Sequence, residues 1–281
     1  MSQNLSQIVP MDYRKDMQDN RGAQSPHFGP LAHTRHQEKV AMVLSWLTDW
    51  RYSTMRILML RLGLDPTTNR SFQKRFRETK LIREIPQGVI REKVWMLTPT
   101  GRDQSPNLRA PYYNTDVSKI SETLIRHNLT VQTAVVRQAH KFQQWTPDHQ
   151  LAVDTAIEGQ AYIAPAKLAD VVLKTSDGLK HALEIELSYK KTAGIYWGFI
   201  EHMRAIEDGH LGMVTYLFQD QAMRGHYARL FGASHWPAYT RNKNGLTRVH
   251  RHGQPYQVAI LRYRDRFQFG MVEDSLRTSL G

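Results

Sequence analysis

The sequence predicts a mixed α/β (α+β) chain in two parts: a small helical unit with a β-ribbon, then a larger helix–strand unit. Three observations carry this. Apolar residues recur at helical spacing in three successive segments between Thr34 and Ile82. Two short extended runs then flank Gln87-Gly88. Further along, the patterns follow the order helix, three strands, helix, strand, helix, an αβββαβ arrangement.

Residues 1–33 are polar, with Gly22, Pro26, Gly29 and Pro30 and no sustained periodicity, and are read as a flexible tail. Thr34 is the expected N-cap of a first helix carrying Val40, Val43, Leu44 and Leu47. Ser53 precedes a second, "TMRILMLRLGL", and Asp65-Pro66 opens a third, "TTNRSFQKRFRETKLI". The next run, "REIPQGVIREKVWMLTPTGRD", reads as two strands stopped by Pro99 and Gly101. Three helices followed by a two-stranded wing is the order of a winged helix-turn-helix, placed at residues 34–104. The third segment holds Arg70, Lys74, Arg75, Arg77 and Lys80 against Glu78 as its one acid, as a DNA-reading helix would. Arg91 and Lys93 on the wing join them as DNA-binding candidates.

A turn-rich linker over residues 105–116 separates this unit from a second at 117–281. There "VSKISETLIRHNLTVQTAVVRQAHKF" is helical, and strands are expected at Ala152–Ile157, Leu168–Thr175 and Leu179–Ser188. A helix over Ala193–Glu207, the strand "GMVTYLF" and a helix over Ala222–Phe231 come after them.

The strand "ALEIELSYKK" carries the chemistry. Alternation puts Glu184, Glu186, Ser188 and Lys190 on one face, and Leu183, Ile185, Leu187 and Tyr189 on the other, buried one. "SDG" at Ser176–Gly178 joins it to the preceding strand as a hairpin. A two-residue Asp-Gly turn would place Asp170 opposite Ile185. A three-residue loop pairs Thr175 with Leu179 and sets Asp170 opposite Glu184, and this register is the one expected. Three carboxylates so close repel unless a cation sits among them, and a hard divalent ion with oxygen ligands meets that need. Such an ion would polarise a phosphate and activate water, with Lys190 orienting the nucleophile or offsetting developing charge.

The bulk properties agree with a nucleic-acid partner. The chain has 281 residues, enough for one large or two small domains, and is 41% hydrophobic and 23% charged, which marks it as globular. Its formal charge of +12 calls for a polyanion, DNA ahead of an anionic membrane. With no cysteine, disulfides, thiolate catalysis and Cys-ligated zinc are excluded. No apolar run is long enough to cross a bilayer, and "MSQNLSQIVP" is no secretion signal, so a cytoplasmic protein is expected.

Asp170, then Glu184-x-Glu186, then Lys190, in this element order, resembles the PD-(D/E)xK nuclease core. Joined to a winged helix, the chain resembles the MOBC class of plasmid mobilisation relaxases (MobC), within the replication-relaxation family. "IRHNLTVQTAVV", "LADVVL" and "ALEIELSYKK" followed by Tyr196 are the matching pieces. Two details depart from the pattern: Ala169 stands where the motif has proline, and Lys190 lies four residues after Glu186 instead of two. The resemblance implies a relaxase that binds the origin of transfer and nicks one strand of supercoiled plasmid DNA with Mg²⁺ or Mn²⁺. It also implies an accessory mobilisation protein and a type IV coupling protein as partners. Asp170, Glu184 and Glu186 would be the catalytic and metal-binding acids, with Lys190 beside them.

Tyr196, His127 and Glu122 are accessory candidates; core packing is expected for Tyr189, and a core or interface place, ahead of base stacking, for Trp145, Trp197 and Trp236. Cleavage is expected to be hydrolytic, without a stable tyrosyl adduct. "VHRHG" reads as a solvated or phosphate-contacting loop, and "TRNKNGLTRVHRHG" as a basic loop on the DNA backbone. Two other functions fit the same residues: a non-catalytic plasmid replication or transcription regulator, and a restriction-type endonuclease.

Overall fold

The structure is a computed structural model. It describes residues 30–85, 92–105, 120–152, 169–252, 254–255, 257–259 and 263–272. Within these the chain is mixed α and β. Helix α1 runs from Pro30 to Trp50, so Thr34 lies inside it instead of capping it. Proline suits a first helical position because its missing N–H would have no helical acceptor there. A three-residue strand, β1 (Tyr52–Thr54), comes next, which the periodicity does not reveal. The cap of α2 (Met55–Arg61) is Thr54; its hydroxyl accepts the Ile57 N–H at 3.3 Å.

Asp65–Asn69 is not yet helix. Asp65 folds the segment into a turn by accepting the Thr67 N–H at 2.7 Å, and α3 spans only Arg70–Glu78. Lys80 falls beyond α3, at a positive φ of 58°. Strands β2 (Ile82–Ile85) and β3 (Val94–Leu97) pair antiparallel, and β1 adds to the far side of β3, giving the order β1-β3-β2. Thr98 caps a short helix α4 (Pro99–Asp103). Gly101 there is required by contact: an added Cβ would stand 2.0 Å from the Leu81 carbonyl oxygen.

Helix α5 (Glu122–Gln138) is capped by Ser121, whose hydroxyl accepts the Leu124 N–H at 3.3 Å. Among the described residues the first strand after it is β4, Gln144–Pro147, and the strand expected at Ala152–Ile157 lies, beyond Ala152, outside the described residues. Leu151 and Ala152 are helical, and residues 153–168 lie outside the described ones. Strands β5 (Val171–Lys174) and β6 (Lys180–Glu186), helix α6 (Thr192–Glu207), strand β7 (Met213–Phe218) and helix α7 (Gln221–Phe231) keep closely to the predicted order.

The stretch "TRNKNGLTRVHRHG", read as a loop, is largely paired, and further strands surround it. This part of the chain contains β8 (His235–Pro237), β9 (Tyr239–Asn242), β10 (Gly245–Arg248), β11 (His250–Arg251), β12 (Gln254–Pro255), β13 (Gln257–Ala259) and β14 (Phe267–Met271). The central sheet has the order β14-β7-β6-β5-β4. Its β4, β5 and β6 form an antiparallel meander, while β6, β7 and β14 run parallel.

Both faces of this sheet are covered. On one, Val171, Leu173, Leu183 and Ile185 join a cluster that runs through α5 (Ile125, Leu129, Ala134) into α1–α3 and β3. On the other, Val172, Ala182, Val214 and Tyr216 pack on α6 and α7, with Phe199 at the centre of an aromatic group. One apolar cluster therefore connects the N-terminal helices to the sheet, and the expected 105–116 linker falls almost wholly outside the described residues. Among the described residues no helix is long and apolar enough to cross a membrane.

Candidate functional site

The register of the β5–β6 hairpin decides where the acids lie. Val171 pairs with Leu183, Val172 with Ala182, Leu173 with His181 and Lys174 with Lys180. The Thr175 N–H donates to the Leu179 carbonyl at 3.0 Å, closing a three-residue loop over Ser176–Gly178. Gly178 holds φ at 86°, a region open to glycine. Carried one step past Val171, this register sets Asp170 opposite Glu184, as the three-residue loop predicts. Glu184 and Glu186 share the face of Ala182, towards α6.

That face is not an open one. Glu184 is 1% exposed and Glu186 2%, so both carboxylates are buried between β6 and α6. A buried carboxylate needs a partner, and each acid has a basic side chain of the chain beside it. Glu184 Oε1 accepts from His202 Nε2, on α6, at 2.8 Å. Glu186 Oε1 accepts from Lys190 Nζ at 2.7 Å. Asp170 Oδ2 lies 3.4 Å from His127 Nε2 on α5.

Asp170 and His127 meet for a backbone reason. Strand β6 outruns β5 at this end, so Ile185 loses its ladder partners on that side. Its N–H donates to Asp170 Oδ2 at 2.7 Å, and its carbonyl accepts from His127 Nε2 at 3.0 Å. Burial works to lower the His127 pKa, but the hydrogen bond and charge of Asp170, with the Ile185 carbonyl, outweigh it and push it up to about 9. The ring is thus an imidazolium at neutral pH. For Lys190, burial also pulls downward. The charges of Glu186, Glu184 and Asp170 prevail and hold its ammonium above the ordinary lysine value, so all three acids act on this one lysine.

The donors suit a hard divalent cation in kind, being carboxylates on adjacent positions of one hairpin. They do not form a closed cage: among the described residues no three histidine, aspartate or glutamate side chains are grouped as metal ligands. A cation shared by Asp170 and Glu184 would draw them away from His127 and His202.

Glu186 and Lys190 open into a pocket of about 300 Å³. Its walls include Trp197 on α6, Tyr216 on β7, Tyr227 on α7, and Arg241 and Leu246 from the β9–β10 hairpin. Burial, then the charge of Glu186, pushes the Tyr227 hydroxyl far above its ordinary pKa. That hydroxyl faces Glu186 without closing a well-formed hydrogen bond to it. Arg241 stacks over Trp197, 5.3 Å from the ring centroid.

The accessory candidates divide. His127 reaches the site. Tyr196 is 8% exposed, and packs edge-on to Phe199 in the core. Glu122 is the first residue of α5, where a negative charge suits the helix N-terminus, and the contacts of Asp170 run to His127 and Ile185 instead. Tyr189, expected in the core, is 61% exposed, because β6 ends at Glu186 and strand parity no longer governs the residues beyond it. His202, Tyr227 and Arg241 do not stand out in the sequence; no motif marks them.

The DNA-binding candidates lie mostly where expected. Arg70, Lys74, Arg75 and Arg77 are exposed on α3, whose Phe72 and Phe76 are buried. Lys80 is exposed beyond the helix, and Lys93 is tied across the ribbon to Glu84 at 2.8 Å. Arg91 lies outside the described residues. Between α2, α3 and the ribbon is a groove of about 640 Å³, lined by Arg56, Arg77, Lys93 and Trp95 among others. No family model, curated protein or solved structure matches the chain.

Proposed function

We propose that the protein binds duplex DNA through a winged helix formed by α1–α3 and the β1-β3-β2 sheet, and cleaves a phosphodiester bond at a PD-(D/E)xK-like centre. The single observation that carries this is the hairpin register, which sets Asp170 opposite Glu184 with Glu186 and Lys190 at the end of the same strand. The order of the surrounding elements, a meander of three strands, then α6, then parallel β7, supports the same reading. The specific activity proposed is that of a plasmid mobilisation relaxase: one-strand nicking at an origin of transfer, in the cytoplasm, alongside an accessory mobilisation protein and a type IV coupling protein.

Asp170, Glu184 and Glu186 would hold Mg²⁺ or Mn²⁺, which supplies charge neutralisation and a water of lowered pKa. The chain's residues do the rest. Exposed α3 cations and the basic β9–β10 hairpin draw in the phosphate backbone. Lys190, held protonated by Glu186, faces charge that develops on the phosphate oxygens. The apolar walls of the pocket limit competing water.

A second reading has its own observation. Each acid is already matched by His127, His202 or Lys190, an arrangement that serves a non-catalytic DNA-binding regulator equally well. Supercoiled plasmid carrying the cognate origin, incubated with Mg²⁺ or Mn²⁺, separates the readings. Open circles support the relaxase and linear product a restriction-type enzyme. A bandshift without cleavage supports the regulator.

A further inference from the structure

We infer that Tyr227 is a positioning residue: its hydroxyl takes hold of the Glu186 carboxylate when Lys190 leaves that carboxylate for an anion in the pocket. With a substrate phosphate as the anion, this rests on the proposed nuclease reading and deepens it by naming what frees its lysine. The exchange of partners is a property of the chain alone and is measurable without cleavage.

Burial creates the need for an exchange. The side chain of Glu186 is 3% exposed and that of Lys190 43%, so the lysine can turn outward and the acid cannot. Lys190 sits on the irregular connection between β6 and α6, at the end of a flexible four-carbon stem. Once its ammonium faces a phosphate, the 2.7 Å bond to Glu186 Oε1 is gone. A buried carboxylate that loses a charged donor destabilises the fold strongly. The neighbouring strand does not make good the loss, because Glu186 pairs in register with Phe218 on β7, a side chain with no polar atom.

Tyr227 is placed to supply the donor. Met223, Tyr227 and Phe231 form the buried stripe of α7. The Tyr227 ring packs with its centroid 4.8 Å from that of Phe218 and 6.0 Å from that of Tyr216, and this packing asks nothing of the hydroxyl. That hydroxyl is buried and faces Glu186, yet closes no well-formed hydrogen bond with it or with any other described residue. A buried polar atom left so is destabilising and calls for a reason. Burial and the charge of Glu186 keep the hydroxyl protonated, so it stays a donor. Being neutral, it can hold the carboxylate in place and leave its charge intact.

The test is a double-mutant cycle of Tyr227→Phe and Lys190→Met, read by urea melts in EDTA at neutral pH. In the wild type the lysine holds Glu186, so Tyr227→Phe alone is expected to leave the urea midpoint unchanged or slightly raised. In Lys190→Met the hydroxyl is the holder, and Tyr227→Phe is expected to lower the midpoint by roughly 0.5–1 M. Equal shifts in the two backgrounds overturn the inference. So does a Lys190→Met protein that does not fold, because Tyr227 then fails to stand in for the lysine. The second readout is nicking of supercoiled plasmid with Mg²⁺. Tyr227→Phe is expected to lower kcat at least about tenfold and to leave KM within about twofold. An unchanged kcat, or a change confined to KM, overturns the positioning role. Absence of nicking by the wild type is failure of the nuclease reading alone; the stability cycle still decides whether Tyr227 and Lys190 exchange.

Discussion

Asp170 and His127 hold the same backbone residue from two sides: the carboxylate takes the Ile185 N–H, and the imidazole donates to the Ile185 carbonyl, 3.4 Å away from that carboxylate. The sheet's loose end, the acid and its counter-charge are therefore one structure. Disturbing any of them changes the other two.

That relationship sets a pH dependence of stability. The folded ring titrates near 9, above its ordinary value of about 6.5. Its stabilisation is complete below about pH 6.5 and is lost as the pH rises through 9. In EDTA, the unfolding free energy of the wild type from urea melts should fall between pH 7 and 10, by an amount on the order of 2 kcal/mol. His127→Ala should flatten that slope. Parallel curves for the two proteins would show the pair to be idle.

The acids are expected to matter for chemistry more than for grip. Asp170→Asn and Glu186→Gln should each slow nicking at least about a hundredfold, while bandshifts on cognate duplex stay within a few fold. EDTA should abolish nicking by the wild type, and Mg²⁺ or Mn²⁺ restore it. If both variants nick at the normal rate, the cutting centre lies elsewhere.

The exposed cations of α3 should act on the duplex through its charge. Replacing Lys74 and Arg75 together by alanine should weaken binding at all sequences and lower the slope of log K against log salt by about 2. An unchanged slope would move the DNA off this helix.

Stability away from the site should hinge on Phe199. It is wholly buried, with the rings of Tyr216, Tyr227, Phe231 and Trp236 at 5.2–6.0 Å. Phe199→Ala should cost about 3–5 kcal/mol in chemical denaturation. Phe199→Leu, keeping most of the volume, should cost less than half of that.

The hairpin register is legible because its turn is short: a Ser-Asp-Gly loop leaves few pairings, and parity does the rest. The order of the large helices and strands is legible from periodicity. Strand β1 is not, since three buried residues show no alternation. Strand β4 escapes the pattern because Trp145-Thr146-Pro147 looks like a turn, and its strand character comes from pairing with β5. Burial of Glu184 and Glu186 is hidden for a similar reason. Alternation tells which residues share a face, but not that α6 will cover it with His202 in place. The hairpins after Trp236 carry polar, basic sequence and are fixed by partners, not by an apolar pattern.

The apolar cluster that passes from α1–α3 through α5 into the sheet has a mechanical consequence. A jointed protein could swing its reading and cutting parts apart; parts welded through one interior cannot. On the proposed function, the chain then works as a caliper with locked jaws, and the spacing from recognised bases to the nick is a constant of its architecture.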